Sequence, residues 1–537
     1  VRPEGKCEGK ATFHIWILDK NGNRFIAPGK KAKEMEKKWQ KISYNFSEFK
    51  QHPKGNASLD LEAADKILLG CNFGSFVLYA DDISFYGKDL LQRIEDLKKP
   101  KQIILSVNTE KIYVKQFLGF GAEWDSRGYV PAGITDKDFS LIQKRVEWMR
   151  LPIARIMMQS KWCYKGKGKY DWSNKEMKAL YRHLDVCEKL GTTVLLSDWG
   201  IEPSWLKCPD VAHVEDPKYA EIIGTYMDHL LNKKKYSCIK YFIMVNEPNY
   251  EVKDWNRWKK GIQNVYKEFQ KRGLTNKVKI AGSDHSNNDS WHWKAVNELK
   301  SILGAYDIHR YTRGQELLDG KLNTYYLKSW QYALVKDPEA KTKPMIVGEA
   351  GVWTRGTGAS QNPMHMDFEY GVKMADYAVQ AVNAGSWAVL AWMLDDNSHI
   401  RFTWGMWKSK AEEFELKPWF YTWALLCRYF PPGSEIFQIP TQEKRLRILC
   451  ARIPDPKGKD KWTFCLVNRG RRDLNITLTG PDDSAGSWKH FLYSTGSQKK
   501  DSQGFPVPAK KEKGTLNKGI TTECPVNSVV IVTSLGY

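Results

Sequence analysis

The stretch Lys240-Tyr-Phe-Ile-Met-Val-Asn-Glu247 is a short apolar run that passes into polar residues at a predicted turn. A segment with helical periodicity, residues 252–272, follows it along the chain, and similar segments lie at 138–150, 175–190, 217–231 and 366–383. This alternation of apolar run, polar turn and helical segment occurs eight times within roughly 300 residues, which predicts a closed (β/α)8 TIM barrel of the α/β class. The eight apolar runs lie at residues 116–123, 152–158, 193–198, 240–246, 277–283, 306–311, 344–349 and 386–393.

A doubly wound sheet shows a similar alternation, but it places a glycine-rich turn after an early strand. Here the first apolar run passes into Ala122-Glu-Trp-Asp125, which has no glycine and does not suit a phosphate-binding turn. The barrel is therefore favoured, and we assign it to residues 112–430. A predicted helix at 419–429 closes the barrel, and Pro431-Pro-Gly433 ends that helix.

The regions on either side of the predicted barrel are rich in short alternating runs, which indicate β-structure. Residues 1–97 are predicted to form a β-rich, jelly-roll-like accessory domain, and the stretch 77–87 resembles the last strand of carbohydrate-binding jelly rolls. Residues 98–111 are predicted to be a linker, and residues 431–537 a C-terminal β-sandwich. The predicted strands lie at 11–18, 41–46, 66–69 and 75–79, and at 446–453, 462–468, 475–479, 488–493 and 528–533.

Charge and cysteine usage exclude several classes of protein. The chain has 83 Lys and Arg against 62 Asp and Glu, a net charge of +21, and these charges are dispersed rather than gathered into one patch. This distribution indicates a solvated surface and argues against a nucleic-acid partner. The ten cysteines have no metal-ligand spacing, so buried free thiols and no metal site are expected. No apolar run is long enough to span a membrane, and no cofactor is implied.

Two glutamates end predicted strands of the barrel. Glu247 follows the fourth strand and Glu349 ends the seventh. Catalytic residues of barrel enzymes lie at the carboxyl ends of the strands, so these two side chains should face each other across the barrel mouth. Cleavage of a glycosidic bond needs two carboxyl groups, one that protonates the leaving oxygen and one that attacks the sugar or activates water.

The motifs around both glutamates resemble those of a known group of enzymes. Met244-Val-Asn-Glu-Pro-Asn249 and Met345-Ile-Val-Gly-Glu-Ala350 resemble the acid/base and nucleophile motifs of glycoside hydrolase clan A, such as families 39, 30 and 5. The resemblance covers the barrel and implies that Glu247 is the acid/base and Glu349 the nucleophile of a retaining glycosidase. It also implies the trailing β-sandwich.

The resemblance extends to other strand ends. It implies that Arg155 is the arginine of strand two and that Asn246 holds the 2-hydroxyl of the sugar. His309 and Tyr311 resemble a strand-six pair whose tyrosine donates a hydrogen bond to the nucleophile. Trp392 resembles the tryptophan platform of strand eight. Each of these residues also has a structural interpretation, as a buried ion-pair or packing residue.

Other residues near strand ends leave alternatives open. Trp199 is one of several tryptophans in the predicted βα loops, of which one or two are expected to stack on sugar. Asp284 and His285 end strand five, where a structural role is favoured. The loop at 161–170 carries four lysines and three aromatic residues on the active-site face. It indicates either a subsite for sulfated or uronic-acid sugars or a solvated, flexible loop.

The sequence thus predicts a retaining glycoside hydrolase that cleaves a poly- or oligosaccharide by double displacement, with an anionic glycan as one option. Two alternatives use the same fold: a carbohydrate-binding barrel without catalysis, and a transglycosylase in which an acceptor sugar replaces water. A secreted, periplasmic or cell-surface location is expected. Residues 1–10 contain no apolar signal core, so either a removed leader or a trimmed chain fits this expectation.

Overall fold

The structure is a computed structural model that describes two compact units, residues 1–96 and 97–537. The second unit contains the barrel and the C-terminal β-sandwich. Among the residues that the structure describes, no helix combines the length and apolarity needed to cross a membrane. The described residues are 2–4, 12–19, 23–31, 44–45, 48–52, 64–72, 77–79, 99–354, 356–399, 401–456, 458–481, 486–495 and 498–537.

Eight parallel strands form a closed barrel in chain order, which confirms the predicted fold class. The first and last strands close the barrel, with Gly119 opposite Ala388 and Ala122 opposite Ala391. The strands are β1 Gly119–Glu123, β2 Ile153–Met158, β3 Thr193–Asp198, β4 Ile239–Ile243, β5 Lys279–Ser286, β6 Leu303–Arg313, β7 Met345–Trp353 and β8 Ala388–Ala391.

A major helix follows each strand, and several of these helices begin at a side-chain cap. Thr135 forms a capping box with Asp138 at the start of the first helix, and Asn174 accepts a hydrogen bond from the backbone of Met177 at the start of the second. Such caps satisfy backbone N–H groups that have no partner inside the helix. The helices are α1 Asp136–Met149, α2 Lys175–Leu190, α3 Pro217–Asp228, α4 Trp255–Lys271, α5 Asp289–Glu298, α6 Lys321–Lys336, α7 Phe368–Asn383 and α8 Phe420–Tyr429.

Apolar side chains fill the interior of the barrel. Seven of the eight strands supply them, and all are almost fully buried: Ile153, Leu195, Ile243, Ala281, Ala305, Ile346, Ala388 and Leu390. A larger apolar cluster lies between the strands and the surrounding helices. Because this packing fills the interior, polar side chains are left room only at the carboxyl ends of the strands.

The β-sandwich includes strands that precede the barrel. Lys101–Ser106 pairs in parallel with Leu474–Thr479, and Val114–Phe117 pairs with Ser434–Phe437. The prediction of a linker at 98–111 therefore differs from the structure, because Leu105 and Val107 are buried in the sandwich core. The remaining sandwich strands are Leu446–Ile453, Lys461–Asn468, Gly486–Tyr493, Lys510–Gly514, Ile520–Cys524 and Ser528–Thr533.

The N-terminal unit is β-rich and antiparallel. Thr12–Asp19 is its central strand and pairs with Arg24–Ile26, Lys30–Lys31 and Ala64–Asn72. Lys50–His52 pairs with Arg24–Ile26, and Val77–Tyr79 with Arg2–Glu4. Residues 80–87 of the jelly-roll-like stretch, and most of the strand expected at 41–46, lie outside the described residues. The jelly-roll topology therefore stays a prediction.

Candidate active site

The two predicted catalytic glutamates lie at the carboxyl end of the barrel. Glu349 is part of β7, and its side chain is almost fully buried. Glu247 follows β4 and caps the short helix Pro248–Glu251. Its backbone has a φ of +43°, in the left-handed region, which costs a non-glycine residue about 1 kcal/mol or more. The surrounding contacts must hold Glu247 in this conformation.

Three side chains surround the carboxyl group of Glu349. Arg155 forms an ion pair with Oε1, and the Tyr311 hydroxyl donates to Oε2 at 2.7 Å. His309 Nδ1 lies 3.6 Å from Oε2. Burial raises the pKa of Glu349, whereas the positive charges of His309 and Arg155 and the hydrogen bond from Tyr311 favour its ionised form. These three groups thus oppose the cost of burying a carboxylate.

Arg155 connects three strands beneath the two glutamates. Besides Glu349, its guanidinium donates to Asn246 Oδ1 and to Asp284 Oδ2, both at 2.9 Å. The Arg155 side chain is fully buried, so its charge must be balanced within the site. Asp284 and Glu349 supply two carboxylates for this purpose.

His309 lies between Glu247 and Asp284. Its Nδ1 is 3.1 Å from Glu247 Oε1, and its Nε2 is 2.9 Å from Asp284 Oδ1. Burial alone would lower the pKa of His309, but the charges of Asp284 and Glu349 raise it well above its ordinary value. Because each nitrogen faces a carboxylate oxygen, the geometry suits an imidazolium that donates a hydrogen bond from both nitrogens. This bridge fixes one carboxyl oxygen of Glu247.

The two glutamates are close enough to act on the same atom. One carboxyl oxygen of Glu247 lies within 4.8 Å of one carboxyl oxygen of Glu349. Retaining glycosidases hold their carboxyl groups about 5–5.5 Å apart, whereas inverting enzymes leave about 6.5–9.5 Å for a water molecule. The observed spacing matches the shorter class. The Glu247 side chain is 21% exposed and Glu349 5%, so the first is the one open to solvent.

The structure brings six of the eight predicted site residues into one hydrogen-bonded group: Glu247, Glu349, Asn246, Arg155, His309 and Tyr311. The two tryptophans lie beside this group. Trp392 and Trp199 share an apolar cluster with Tyr311. Both are largely buried, and both pack against the His399 ring, at centroid distances of 4.9 and 5.2 Å.

Asp284 forms more contacts within this group than its place in the sequence predicts. It accepts hydrogen bonds from Arg155, from His309 and, at 3.1 Å, from the backbone N–H of Glu247. Burial raises the pKa of Asp284, but the charges of Arg155 and His309 outweigh burial and hold it below its ordinary value. Its position near the end of β5 is the available sequence signal, and that position alone favours a structural role.

Asp307 is a second buried carboxyl group that no sequence pattern indicated. Burial and the nearby charge of Asp284 raise its pKa well above the ordinary value, which favours the neutral form of Asp307. Gly348 of β7 leaves the space that Asp307 fills, because a Cβ atom there would lie 2.4 Å from Asp307 Oδ1. In its neutral form, Asp307 adds no further negative charge next to Asp284.

Three groups of side chains among the described residues hold possible metal ligands within 4.8 Å of one another. Two of these groups contain His309, whose two nitrogens already lie within hydrogen-bond distance of Glu247 and Asp284. The third consists of Glu123, Asp125 and His399, all buried. Burial lowers the pKa of His399 to about 4, so a neutral imidazole and two carboxyl groups meet there. Such donors can bind a divalent metal.

The sequence matches no protein-family model and no curated protein. Solved structures share its fold. A GH30 endoxylanase from Clostridium papyrosolvens C71 is 13% identical, with a TM-score of 0.58 over 80% of this chain and 100% of that one. A GH39 β-xylosidase from Caulobacter crescentus is 11% identical, with a TM-score of 0.56 over 81% and 100%. An α-L-arabinofuranosidase from Thermotoga maritima is 10% identical, with a TM-score of 0.57 over 80% and 99%.

Proposed function

We propose that this chain is a retaining glycoside hydrolase in which Glu247 is the acid/base and Glu349 the nucleophile. The observation that carries the proposal is the pair of carboxyl groups within 4.8 Å of each other at the carboxyl end of the barrel. Their different surroundings suit the two roles. Glu349 is buried against an arginine and a tyrosine, whereas Glu247 is the more exposed of the two and its Oε2 is free of the bond to His309.

In the first half of the reaction, a carboxylate oxygen of Glu349 attacks the anomeric carbon. The bond from this carbon to the leaving oxygen breaks, and the proton on Glu247 passes to that oxygen. Because His309 donates to Oε1 of Glu247, we assign the transferred proton to Oε2. The products of this half are a glycosyl ester on Glu349 and a free alcohol.

In the second half, the Glu247 carboxylate takes a proton from water while the water oxygen bonds to the anomeric carbon. The ester bond to Glu349 breaks and regenerates its carboxylate, which Arg155 and Tyr311 receive with the hydrogen bonds already in place. Two displacements at one carbon restore the starting configuration. We assign to Asn246, which accepts a hydrogen bond from Arg155, the role of binding the 2-hydroxyl of the sugar.

We further propose that the substrate is a poly- or oligosaccharide outside the cytoplasm, and that it carries carboxylate or sulfate groups. Structures that share the fold are named as an endoxylanase, a β-xylosidase and an α-L-arabinofuranosidase, which supports a glycoside substrate. Trp392 and Trp199 beside the glutamates offer apolar faces for sugar rings. The basic loop at the barrel mouth supports an anionic glycan.

The configuration of the first product tests the proposed reaction. We expect proton NMR of a digest of aryl glycosides and oligosaccharides to show, before mutarotation, the same anomer as the substrate. An inverted first product would contradict the double displacement. Absence of hydrolysis of every glycan in a broad panel would favour the carbohydrate-binding barrel without catalysis. Addition of acceptor sugars distinguishes a hydrolase from a transglycosylase, because a transglycosylase would form longer products at the expense of hydrolysis.

Replacing Asp284 by asparagine should lower kcat by about 10- to 100-fold with little change in KM, because misplaced catalytic groups cost about this much. Asparagine carries no charge to balance Arg155 and His309. The pKa of His309 should therefore fall, and the alkaline limb of the kcat–pH profile should shift to lower pH. Steady-state kinetics across pH measure both effects. The exposed Asp319→Asn variant is the control. An unchanged kcat and pH profile in Asp284→Asn would show that Asp284 does not position the glutamates.

A further inference from the structure

A cavity of about 470 Å³ opens on the same face of the barrel as the two glutamates. The loop after β1 contributes Arg127 to its wall, and the loop after β2 contributes Gln159, Lys161 and Lys165. The start of α2 contributes Lys175 and Glu176, so four cationic side chains and a single carboxylate line the cavity. Of the lysine-rich loop noted in the sequence, Lys161 and Lys165 lie on this wall.

Two of these cations form no ion pair among the described residues, although the charge of Asp125 acts on Arg127 from beyond ion-pair distance. Within the described part of the chain, neither Arg127 nor Lys161 has a carboxylate within 4.0 Å, the limit for an ion pair. The Lys161 ammonium donates to the backbone carbonyl of Trp205 instead. Burial lowers the pKa of Arg127, and burial and the charge of Arg127 lower that of Lys161. Two partly buried cations that repel each other are stabilised by an anion between them.

The cavity is connected to the catalytic centre by aromatic rings. The Arg127 guanidinium lies 4.4 Å from the ring centre of Trp205 and 5.3 Å from that of Trp199. Trp199 packs against His399, which in turn packs against Trp392. Trp205 is 42% exposed, so a sugar ring can reach its face. A glycan bound at the glutamates can therefore continue across Trp205 to the two cations.

We propose that this cavity is an anion subsite, in which Arg127 and Lys161 bind a carboxylate or sulfate group on a sugar of the substrate. This proposal rests on the proposed glycosidase function and specifies the class of substrate that the two glutamates cleave. The planar guanidinium can donate two parallel hydrogen bonds to such a group, and the ammonium supplies a second charge. Gln159 on the same wall can donate a further, neutral hydrogen bond.

Titration calorimetry with two matched ligand pairs tests the subsite. One pair is oligogalacturonate and its carboxyl-reduced form, and the other is carrageenan oligosaccharides and their desulfated form. The protein carries Glu349→Gln so that turnover does not consume the ligand. The test variant adds Arg127→Gln and Lys161→Gln. The control adds Lys167→Gln and Lys169→Gln, which remove the same charge from exposed positions of the same loop outside the cavity wall.

We expect one charged ligand to bind at least about tenfold more tightly than its neutral partner, and the arm in which this occurs identifies the group as carboxylate or sulfate. The test variant should lose about tenfold in affinity for that ligand, and the control less than about twofold. Equal affinity for charged and neutral partners in both arms, no binding of either charged ligand, or equal losses in the two variants would overturn the subsite.

Two further outcomes separate the subsite from the proposed reaction. Hydrolysis of neutral glycans with retention, together with charge-independent binding, would remove the subsite and leave the reaction. Charge-dependent binding that needs Arg127 and Lys161, without hydrolysis of any glycan, would leave the subsite and remove the reaction. The comparison of charged and neutral ligands does not depend on a substitution at the cavity, so a misfolded test variant would not hide the result.

Discussion

Replacing Glu349 by glutamine should reduce kcat on glycosides by about 10⁵-fold, the order of magnitude seen when a catalytic nucleophile is lost. Glutamine keeps the shape of the side chain, its amide oxygen can accept from Arg155, and its NH2 group can donate to the Tyr311 hydroxyl, so folding should survive. It cannot form the glycosyl ester, because an amide is a poor nucleophile at the anomeric carbon. Initial rates on an aryl glycoside, together with Tm, measure the two effects separately.

A smaller side chain at the same position tests the direction of attack. In Glu349→Ala, added azide can enter the vacated space and attack the anomeric carbon from the face that Glu349 uses. A single displacement then gives a glycosyl azide of inverted configuration. Glu339→Gln is the matched control, since this glutamate is 75% exposed and lies shortly before β7. Near-normal turnover by Glu349→Gln would contradict the assignment of the nucleophile.

Local patterns in the sequence predict much of the barrel. Strand β3 and helix α2 begin and end at the predicted residues, 193–198 and 175–190. Both have simple signals, an uninterrupted apolar run and an amphipathic segment between an asparagine cap and a glycine. The end of the third helical segment differs, because the α-helix ends at Asp228 and continues as π-helix over His229–Lys233. Such a change of helix type has no periodic signal.

Long-range pairing explains why the sequence did not indicate one of the sandwich strands, Lys101–Ser106. The run Lys101-Gln-Ile-Ile-Leu-Ser106 is short and has polar ends, and its partner strand lies more than 300 residues further along the chain. In the structure Leu105 is buried, while Ile104 is 72% exposed. A single buried residue with one well-exposed neighbour is a weak local signal, so the parallel pairing with Leu474–Thr479 could be found only from the folded chain.

The sequence likewise predicts some residues of the candidate site and not others. The two glutamates, Arg155 and Tyr311 stand in motifs that resemble a known enzyme group, and the structure places them in contact. Asp284 stands in no such motif. Its importance comes from the position of β5 between β4 and β6, which brings one carboxylate next to Arg155, His309 and the backbone of Glu247. The spacing of these residues along the chain does not predict that contact.

Replacing Glu247 by alanine should affect substrates according to their leaving groups. An unactivated glycosidic oxygen needs a proton to depart, so kcat on oligosaccharides should fall by about 10²- to 10⁴-fold. A dinitrophenolate departs without a proton, so kcat/KM for the dinitrophenyl glycoside should change little. The second half still needs a base to activate water, and the ester on Glu349 should accumulate and appear as a burst of dinitrophenol.

Azide then distinguishes acid/base loss from general damage to the site. Because it needs no base, azide should attack the ester in Glu247→Ala, restore steady turnover of the dinitrophenyl glycoside and yield an azide of retained configuration. Glu339→Gln, whose side chain is 75% exposed, is again the control and should behave like the wild type. Equal losses on activated and unactivated substrates without azide rescue would contradict the role of Glu247. Retained azide from this variant and inverted azide from Glu349→Ala together require the two carboxyl groups to act on opposite faces of one anomeric carbon.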